Sequence, residues 1–163
     1  MIYYIFLDVD GVLNDEDYTR QCYEKNGGYP MHMNFAPFDP RALNNLMYLV
    51  QRLRKMGTPK IILSSTWRLD DVDTTIVKAR IAEYGLRIED KTPFIHSNRG
   101  EEIETFLEEK KDKKDYSVVI LDDDSFDIKE KFPHCLVLVD RYYGLSMKDV
   151  ERAIEILEWG FMK

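Results

Sequence analysis

Short apolar runs and amphipathic stretches alternate along this chain, which predicts strands and helices in alternation. The apolar runs predict strands at Ile2–Leu7, Lys60–Leu63, Val118–Leu121 and Leu136–Val139. Apolar positions at helical spacing predict helices from Pro40 to Leu53, from Asp70 or Asp71 to Tyr84, from Arg99 to Lys110 and from Met147 to Trp159. Strands that alternate with helices are typical of an α/β domain with a mainly parallel sheet.

Several of these elements carry start and stop signals. Asp39 followed by Pro40 is typical of a helix start, because the aspartate caps free amide groups and proline fits the first turn. The next helix is expected to end at Gly85 and to have three residues on its apolar side, Ile76, Ile81 and Tyr84. The stretch from Leu86 to Ile95 has only a weak strand signal.

One connection, from Asn14 to Phe38, is much longer than the others. A connection of this length inside a compact domain usually has structure of its own or a function. It is rich in aromatic residues and has two interpretations. It is either a small hairpin or helical flap that packs on the domain, or a lid over a site that helps to select the substrate. Residues 14–38 are therefore predicted to be a small cap or flap insertion in a single domain spanning residues 1–163.

Composition narrows the picture only modestly. With 163 residues, 44% of them apolar, the chain is long enough for one domain with a substantial core. Six clustered aspartates carry most of the net charge of −7, which argues weakly against a large basic surface for nucleic acid. Cys22 and Cys135 lack CxxC spacing, which favours a reduced, cytoplasmic location. We see no signal peptide or membrane span, so no membrane partner is expected, and no obligate protein partner is inferred.

Polar and acidic residues follow three of the predicted strands. Asp8 and Asp10 follow the first, Ser64 and Ser65 the second, and an acidic cluster, Asp122, Asp123, Asp124 and Asp127, follows the run Val118–Leu121. The carboxyl ends of parallel strands meet at one edge of a sheet, so these groups are expected to gather there. Carboxylates and hydroxyls suit a hard cation such as Mg²⁺, whereas zinc is not indicated.

Paired carboxylates of this kind can carry out phosphoryl transfer. One aspartate can attack phosphorus and form an acyl phosphate, which divides hydrolysis into two steps. Mg²⁺, a cationic side chain and hydroxyl donors would then offset the repulsion between the carboxylate and the phosphate. The second aspartate can protonate the leaving oxygen and later activate water if its environment raises its pKa relative to its neighbour.

The segments DVDGVLN, IILSSTWR and LDDDSFD resemble motifs I, II and IV of the haloacid dehalogenase (HAD) superfamily of phosphotransferases. The resemblance spans nearly the whole chain. More narrowly, SSTWR and the stretch RG-EEI-ETFL after Asn98 are similar to the phosphatase domains of polynucleotide 3′-phosphatases and of "Swiss army knife" RNA-repair proteins. The resemblance implies a Rossmann-like three-layer sandwich with a minimal cap.

It also implies roles for the acidic residues. Asp8 would be the nucleophile and Asp10 the general acid/base, which favours a phosphatase over a dehalogenase. Mg²⁺ would be held by the Asp8 carboxylate, the backbone carbonyl of Asp10 and a motif IV aspartate. Asp123 is the first choice for that last ligand, with Asp122 and Asp127 in or next to the coordination sphere.

The phosphate contacts are less fully specified. By the resemblance, Ser64 would donate a hydrogen bond to a phosphoryl oxygen, with Ser65 as the alternative if the register differs by one. No lysine is clearly placed for motif III, so Arg99 is the preferred substitute and Lys91 the second. Arg68 is a further candidate phosphate contact, and Trp67 is assigned to packing. No role is assigned to the histidines, which lack ligand spacing: His32, His96 and His134.

The sequence therefore predicts a Mg²⁺-dependent phosphohydrolase that acts on a phosphomonoester. A nucleic-acid terminal phosphate and a small phosphorylated metabolite are both retained as substrates. One alternative is a phosphoacceptor that resembles a receiver domain, although serines stand where that family has its acceptor aspartate. Another is a catalytically inactive Mg²⁺-binding interaction module, which the missing motif III lysine keeps open.

Overall fold

A single parallel sheet forms the centre of the molecule. The computed structural model describes residues 1–25, 27, 37–110 and 115–159. Its five strands have the spatial order β3-β2-β1-β4-β5 and all pair in parallel. Their bounds are β1 Ile2–Leu7, β2 Thr58–Leu63, β3 Ile88–Lys91, β4 Tyr116–Asp122 and β5 Leu136–Leu138. The predicted α/β class with a parallel sheet is confirmed, and the weak signal after Leu86 corresponds to a strand.

Helices cover both faces of this sheet. They are α1 Glu16–Lys25, α2 Pro40–Arg54, α3 Asp71–Ala82, α4 Arg99–Glu109, α5 Ile128–Lys131 and α6 Met147–Trp159, with a short 3₁₀ helix at Thr66–Leu69. Alternate residues of β1 point to opposite faces because strand side chains have a period of two. Tyr3, Ile5 and Leu7 pack against α2, α3 and α6. Tyr4 and Phe6 pack against α4 and α5. The result is the expected Rossmann-like three-layer sandwich.

The start signals of the sequence operate as predicted. The Asp39 side chain accepts a hydrogen bond of 2.9 Å from the Arg41 amide, and Pro40 opens α2. The Asp70 side chain caps α3 in the same way, with bonds to the amides of Val72 and Asp73. Each cap satisfies amide groups that the first helical turn leaves without partners.

The buried face of α3 differs from the prediction. Val77 and Ile81 are its buried residues, whereas Ile76 is only partly buried. Tyr84, beyond the end of the helix, is partly buried and packs against the core as expected. The helix starts where the sequence predicts, and the difference at Ile76 arises because packing against the core selects Val77 as the fully buried residue of this turn.

The long connection contains a helix in its first half. α1 follows Asn14 closely, and none of its residues is buried. At the other end of the connection, Phe38 is 6% exposed and belongs to the core. Residues 26 and 28–36 lie outside the described residues, so the choice between a packed flap and a lid stays a prediction.

No helix in the described parts of the chain is both long enough and apolar enough to cross a membrane.

Candidate active site

The register of the central strands brings the three motif segments to one level. Leu7 at the end of β1 pairs with Leu63 of β2 and with Leu121 of β4. Backbone hydrogen bonds extend this match by one residue, from the Asp8 amide to the Leu121 carbonyl (3.0 Å) and from the Ser64 amide to the Leu7 carbonyl (2.8 Å). Asp8, Ser64 and Asp122 therefore leave the sheet side by side at its carboxyl edge.

Three carboxylates meet at this edge. Asp8, Asp122 and Asp123 each offer an oxygen, and these oxygens lie within 4.8 Å of one another. Asp8 is 5% and Asp122 1% exposed, whereas Asp123 is partly exposed. Burial raises the pKa of Asp8 well above its ordinary value, and the nearby charge of Asp122 raises it further while Arg99 opposes the shift. Burial likewise raises the pKa of Asp122 to about 6, against the effect of Arg99.

The donor set of this cluster fits a divalent cation. Bringing three carboxylates together out of water is unfavourable unless positive charge or protons compensate them. All three groups are oxygen donors, which Mg²⁺ prefers. Asp122 has both oxygens engaged, since Oδ2 lies 2.9 Å from the Arg99 guanidinium and Oδ1 accepts from the Asp124 amide (3.0 Å). Asp8 and Asp123 are therefore the better placed side chains to hold the ion.

Asp10 projects from a tight loop beside the cluster. Its side chain is exposed, and its Oδ1 accepts hydrogen bonds from Asn14 Nδ2 (2.8 Å) and from the Trp67 indole (3.0 Å). Asn14 also accepts from the Gly11 amide at 2.9 Å, which closes the loop. Both donors to Asp10 reach the same oxygen, so neither of these two hydrogen bonds engages Oδ2.

Gly11 allows the loop that follows β1 and the loop that follows β4 to approach closely. Its φ is +78°, a backbone conformation in which any residue with a Cβ is strained. A Cβ at this position would lie 2.4 Å from Asp123 Oδ2 and 3.0 Å from the Cβ of Arg141. Glycine is thus required here both by the backbone and by the space that Asp123 and Arg141 occupy.

The two serines after β2 have different environments. Ser64 is 1% exposed, and its hydroxyl has no hydrogen-bond partner among the described residues. A buried hydroxyl without a partner is costly, so a ligand oxygen at this place would relieve it. Ser65 instead caps the 3₁₀ helix, with its hydroxyl accepting from the Trp67 amide at 3.3 Å. Of the two, Ser64 is the one left to donate to a ligand.

Arg99 places a buried positive charge in the middle of the cluster. It is the first residue of α4 and is 6% exposed. Its Nη1 lies 3.3 Å from Asp8 Oδ1 and 2.9 Å from Asp122 Oδ2, and it also donates to the Ser64 carbonyl. Its guanidinium stacks at 5.0 Å over the ring of Phe126. Lys91, the second choice for this role, is exposed, and its Nζ lies 3.4 Å from the Arg68 carbonyl.

A comparison with family models identifies the family to which the chain belongs. The model described as "HAD domain in Swiss Army Knife RNA repair proteins" matches residues 4–150. The chain belongs to this family. A search of curated proteins and a search of solved structures found no match. Membership in the HAD family implies a phosphohydrolase type of function and confirms the narrower of the two resemblances seen in the motifs.

Two predicted site residues of this HAD domain have structural partners that the sequence did not indicate. Arg68 is buried and directed to Glu102, with Nη2 at 2.8 Å from Oε2 and further bonds to three backbone carbonyls. Burial lowers the pKa of Arg68, and Glu102 opposes that shift. Asp127 accepts from the Gly100 amide (2.6 Å) and the Glu101 amide (3.0 Å), so it caps α4. Its role beside the ion and that of Arg68 beside the phosphate stay predictions.

Four other residues contact candidate site residues of this HAD domain, and of these only Trp67 had a predicted role, in packing. Glu102 braces Arg68 and lies 4.0 Å from Arg99 Nε. Trp67 packs on Phe38 in an edge-to-face contact at 5.6 Å, as its packing role required, and also bonds Asp10. Arg141 Nε lies 3.5 Å from Asp123 Oδ2. Asn14 is the last residue of the DVDGVLN motif, which is the one signal in the sequence that could have indicated its role.

Proposed function

We propose that this HAD domain is a Mg²⁺-dependent phosphomonoester hydrolase in which Asp8 is the nucleophile. The observation that carries the proposal is the convergence of three carboxylate oxygens within 4.8 Å, next to the buried Arg99 guanidinium. The hydroxyl of Ser64, buried without a partner, adds a donor for a phosphoryl oxygen at the same edge.

In the first step, an Asp8 oxygen attacks phosphorus and the bond from phosphorus to the ester oxygen breaks. Asp10, which Asn14 and Trp67 hold in position, gives its proton to that leaving oxygen. Arg99 and Ser64 bind the other phosphoryl oxygens. Asp8 and Asp123, with the Asp10 carbonyl, would hold Mg²⁺. When bound, the ion would supply positive charge that offsets the repulsion between Asp8 and the phosphate.

In the second step, water attacks the phosphorus of the aspartyl phosphate. Asp10, now ionised, accepts a proton from that water, and the bond from phosphorus to Asp8 breaks to release inorganic phosphate. The exposed Asp10 side chain lies outside the buried cluster, so it can reach the leaving oxygen in the first step and the attacking water in the second. Asp8 regains its carboxylate, and the site returns to its starting state.

The test is hydrolysis of an aryl phosphate with added Mg²⁺ by the wild-type protein, Asp8→Asn and Asp71→Asn. Asp71 is exposed at the start of α3, away from the cluster, and serves as the matched control. We expect Asp8→Asn to lower kcat by about 10³-fold or more, because the nucleophile is lost, and Asp71→Asn to leave it unchanged. Retained hydrolysis in Asp8→Asn would contradict the proposal.

The substrate class can be separated by a panel of mononucleotides, sugar phosphates and 3′-phosphorylated oligonucleotides. The family to which this domain belongs is described from RNA repair proteins, which supports a nucleic-acid terminal phosphate. The net charge of −7 gives no support to a long basic track, so a small metabolite stays the second candidate. Preference for oligonucleotides predicts activity that falls steeply with salt, because phosphate contacts release counterions.

A non-catalytic Mg²⁺-binding module is the alternative function. It was kept open by the missing motif III lysine, and the contacts of Arg99 with Asp8 and Asp122 now argue for catalysis. Mg²⁺ binding with no hydrolysis of any phosphate in the panel would favour the module.

A further inference from the structure

The loop between β5 and α6 carries Arg141 to the mouth of the carboxylate cluster. Its Nε lies 3.5 Å from Asp123 Oδ2, and its side chain is 56% exposed. The Cβ of Arg141 lies close to Gly11, so the Arg141 side chain starts beside the loop that follows β1. Arg141 is thus a cation at the boundary between the buried site and solvent.

The backbone of this loop is held independently of the Arg141 side chain. The Glu16 amide donates to the Arg141 carbonyl at 3.1 Å, which fixes the loop to the start of α1. Asp140 closes the turn, since its carbonyl accepts from Gly144 (2.8 Å) and its side chain accepts from the Tyr142 amide (2.8 Å). The position of Arg141 therefore does not depend on its ion pair with Asp123.

That ion pair contributes little to stability. Exposed pairs are worth about 0–1 kcal/mol, and a spacing of 3.5 Å is long for a charged hydrogen bond. A positive charge beside Asp123 also disfavours a cation on the same carboxylate. Stability and metal binding thus give no reason for an arginine here, whereas recognition of an anion does.

Charge balance indicates which anion Arg141 meets. Three carboxylates are offset by Arg99 and a divalent ion, which leaves the buried site close to neutral. Arg99 and Ser64 already face the reacting phosphate from within. The Arg141 side chain is more than half exposed and lies on the solvent side of this site, the side from which a substrate has to enter.

We propose that Arg141 binds a second phosphate group of the substrate, adjacent to the phosphate that reacts. This inference rests on the proposed function. The second phosphate is either a further terminal phosphate of a small molecule or the phosphodiester next to the end of a strand. Arginine is suited to it because its planar fork binds phosphate through two hydrogen bonds.

The test is calorimetric binding with Mg²⁺ in an Asp8→Asn background, where turnover does not interfere. The probes are adenosine 3′-monophosphate, adenosine 3′,5′-bisphosphate and a dinucleotide with a 3′-phosphate. Each is measured without a further change, with Arg141→Ala, with Arg141→Lys and with Arg152→Ala. Arg152 is the matched control, an exposed arginine on α6 that pairs with Glu155.

We expect Arg141→Ala to weaken binding of the doubly phosphorylated probes by about 10-fold to 100-fold, the range for a hydrogen bond to a charged group. Binding of the monophosphate should change by less than about twofold, and Arg141→Lys should restore part of the loss. Loss for the bisphosphate alone identifies a terminal phosphate, and loss for the dinucleotide identifies a phosphodiester.

Three results would overturn the inference: an equal loss for the monophosphate, no loss for either doubly phosphorylated probe, or binding of none of the three probes. A loss of the same size in Arg152→Ala would overturn it as well. Failure here differs from failure of the proposed function, since the latter is measured by hydrolysis in the Asp8→Asn comparison and not by selectivity between probes.

Discussion

Arg99 is the residue on which the electrostatics of the buried site depend. A single guanidinium nitrogen contacts Asp8 and Asp122, where the family usually has a lysine ammonium. A guanidinium keeps its charge when buried, whereas a lysine in the same place would tend to lose its proton. Arginine therefore suits a motif III cation that is 6% exposed.

Trp67 connects packing with the acid catalysis that we propose for Asp10. We predict that Trp67→Phe keeps the contact with Phe38 but loses the indole hydrogen bond to Asp10. The expected result is a kcat lower by about tenfold for an alkyl phosphate, whose leaving oxygen needs a proton. The effect should be smaller for a nitrophenyl phosphate, whose leaving group needs no proton. Steady-state kinetics with both substrates measures the difference.

Trp159→Phe is the control for that substitution, because Trp159 is 66% exposed on α6 and away from Asp10. Equal losses for the two substrates in Trp67→Phe would show that Trp67 acts through packing alone.

For individual residues, the sequence indicated candidate site residues better than the partners that these residues contact. Asp8, Asp10 and Ser64 could be found because each follows a strand within a recognisable motif. Glu102 could not be found in this way. It matters because it lies between two buried arginines that are 31 positions apart in the sequence. Arg141 gave no signal because its proximity to Asp123 is created only when β5 pairs with β4.

Among the elements, the turn at Gly11 determines whether the two acidic loops can meet. We predict that Gly11→Ala displaces Asp123, because the new Cβ would lie 2.4 Å from its Oδ2. Mg²⁺ affinity should fall by about tenfold or more, as expected when the support of a metal ligand is disturbed. Calorimetric titration with Mg²⁺ measures the loss.

Gly85→Ala provides a matched control for the backbone strain. Gly85 also has a positive φ, +70°, but a Cβ there would meet nothing within 4 Å. In both variants alanine is strained in the left-handed conformation, by about 1 kcal/mol. Only in Gly11→Ala does the new Cβ also clash with Asp123. If the two variants bound Mg²⁺ equally well, the proposed crowding at Gly11 would be wrong.

The helices show where sequence patterns succeed and where they fail. α2 was predicted with its cap and its apolar face because Asp39, Pro40 and the leucine spacing all agree. α3 was predicted in extent but not in rotation, since its apolar residues are few and its face is set by packing. The four-residue α5 was missed, because a single turn such as Ile128–Lys131 has no periodicity to detect.

The whole molecule should respond to pH through its buried carboxylates. Burial raises the pKa of Asp122 to about 6 and raises that of Asp8 as well, so the folded metal-free protein binds protons that the unfolded chain releases near pH 4. Its free energy of unfolding therefore falls as pH rises through about 6. In the proposed metal-bound state, Mg²⁺ would take the place of those protons. We predict that stabilisation by Mg²⁺ is larger at about pH 7.5 than at about pH 5.

Thermal unfolding with Mg²⁺ and with chelator, at both pH values, measures this difference. Burial and Asp39 raise the pKa of Asp15 to about 7, but that effect is common to both conditions and cancels in the comparison. Asp122→Asn should reduce the pH dependence of the Mg²⁺ effect. An effect of Mg²⁺ that is equal at both pH values, or larger at the lower one, would contradict the prediction.

The topology explains why the site could be located from the sequence. In a parallel sheet every strand delivers its carboxyl end to the same edge, so motif order alone brought Asp8, Ser64 and Asp122 together. The connection between α1 and α2 follows no such rule. Its role over the site stays a prediction, since residues 28–36 lie outside the described residues.

The proposed mechanism requires Asp8 to form a bond with phosphorus while the neighbouring carboxylates hold a divalent ion. The most direct measurement is acid quenching during turnover, followed by borohydride reduction of any acyl phosphate and mass-spectrometric mapping of the reduced residue. If hydrolysis proceeds through an aspartyl phosphate, Asp8 is the residue that is reduced. The reduced Asp8 should be found with Mg²⁺ and not with chelator. Reduction at another aspartate, or turnover in Mg²⁺ with no reduced residue, would contradict it.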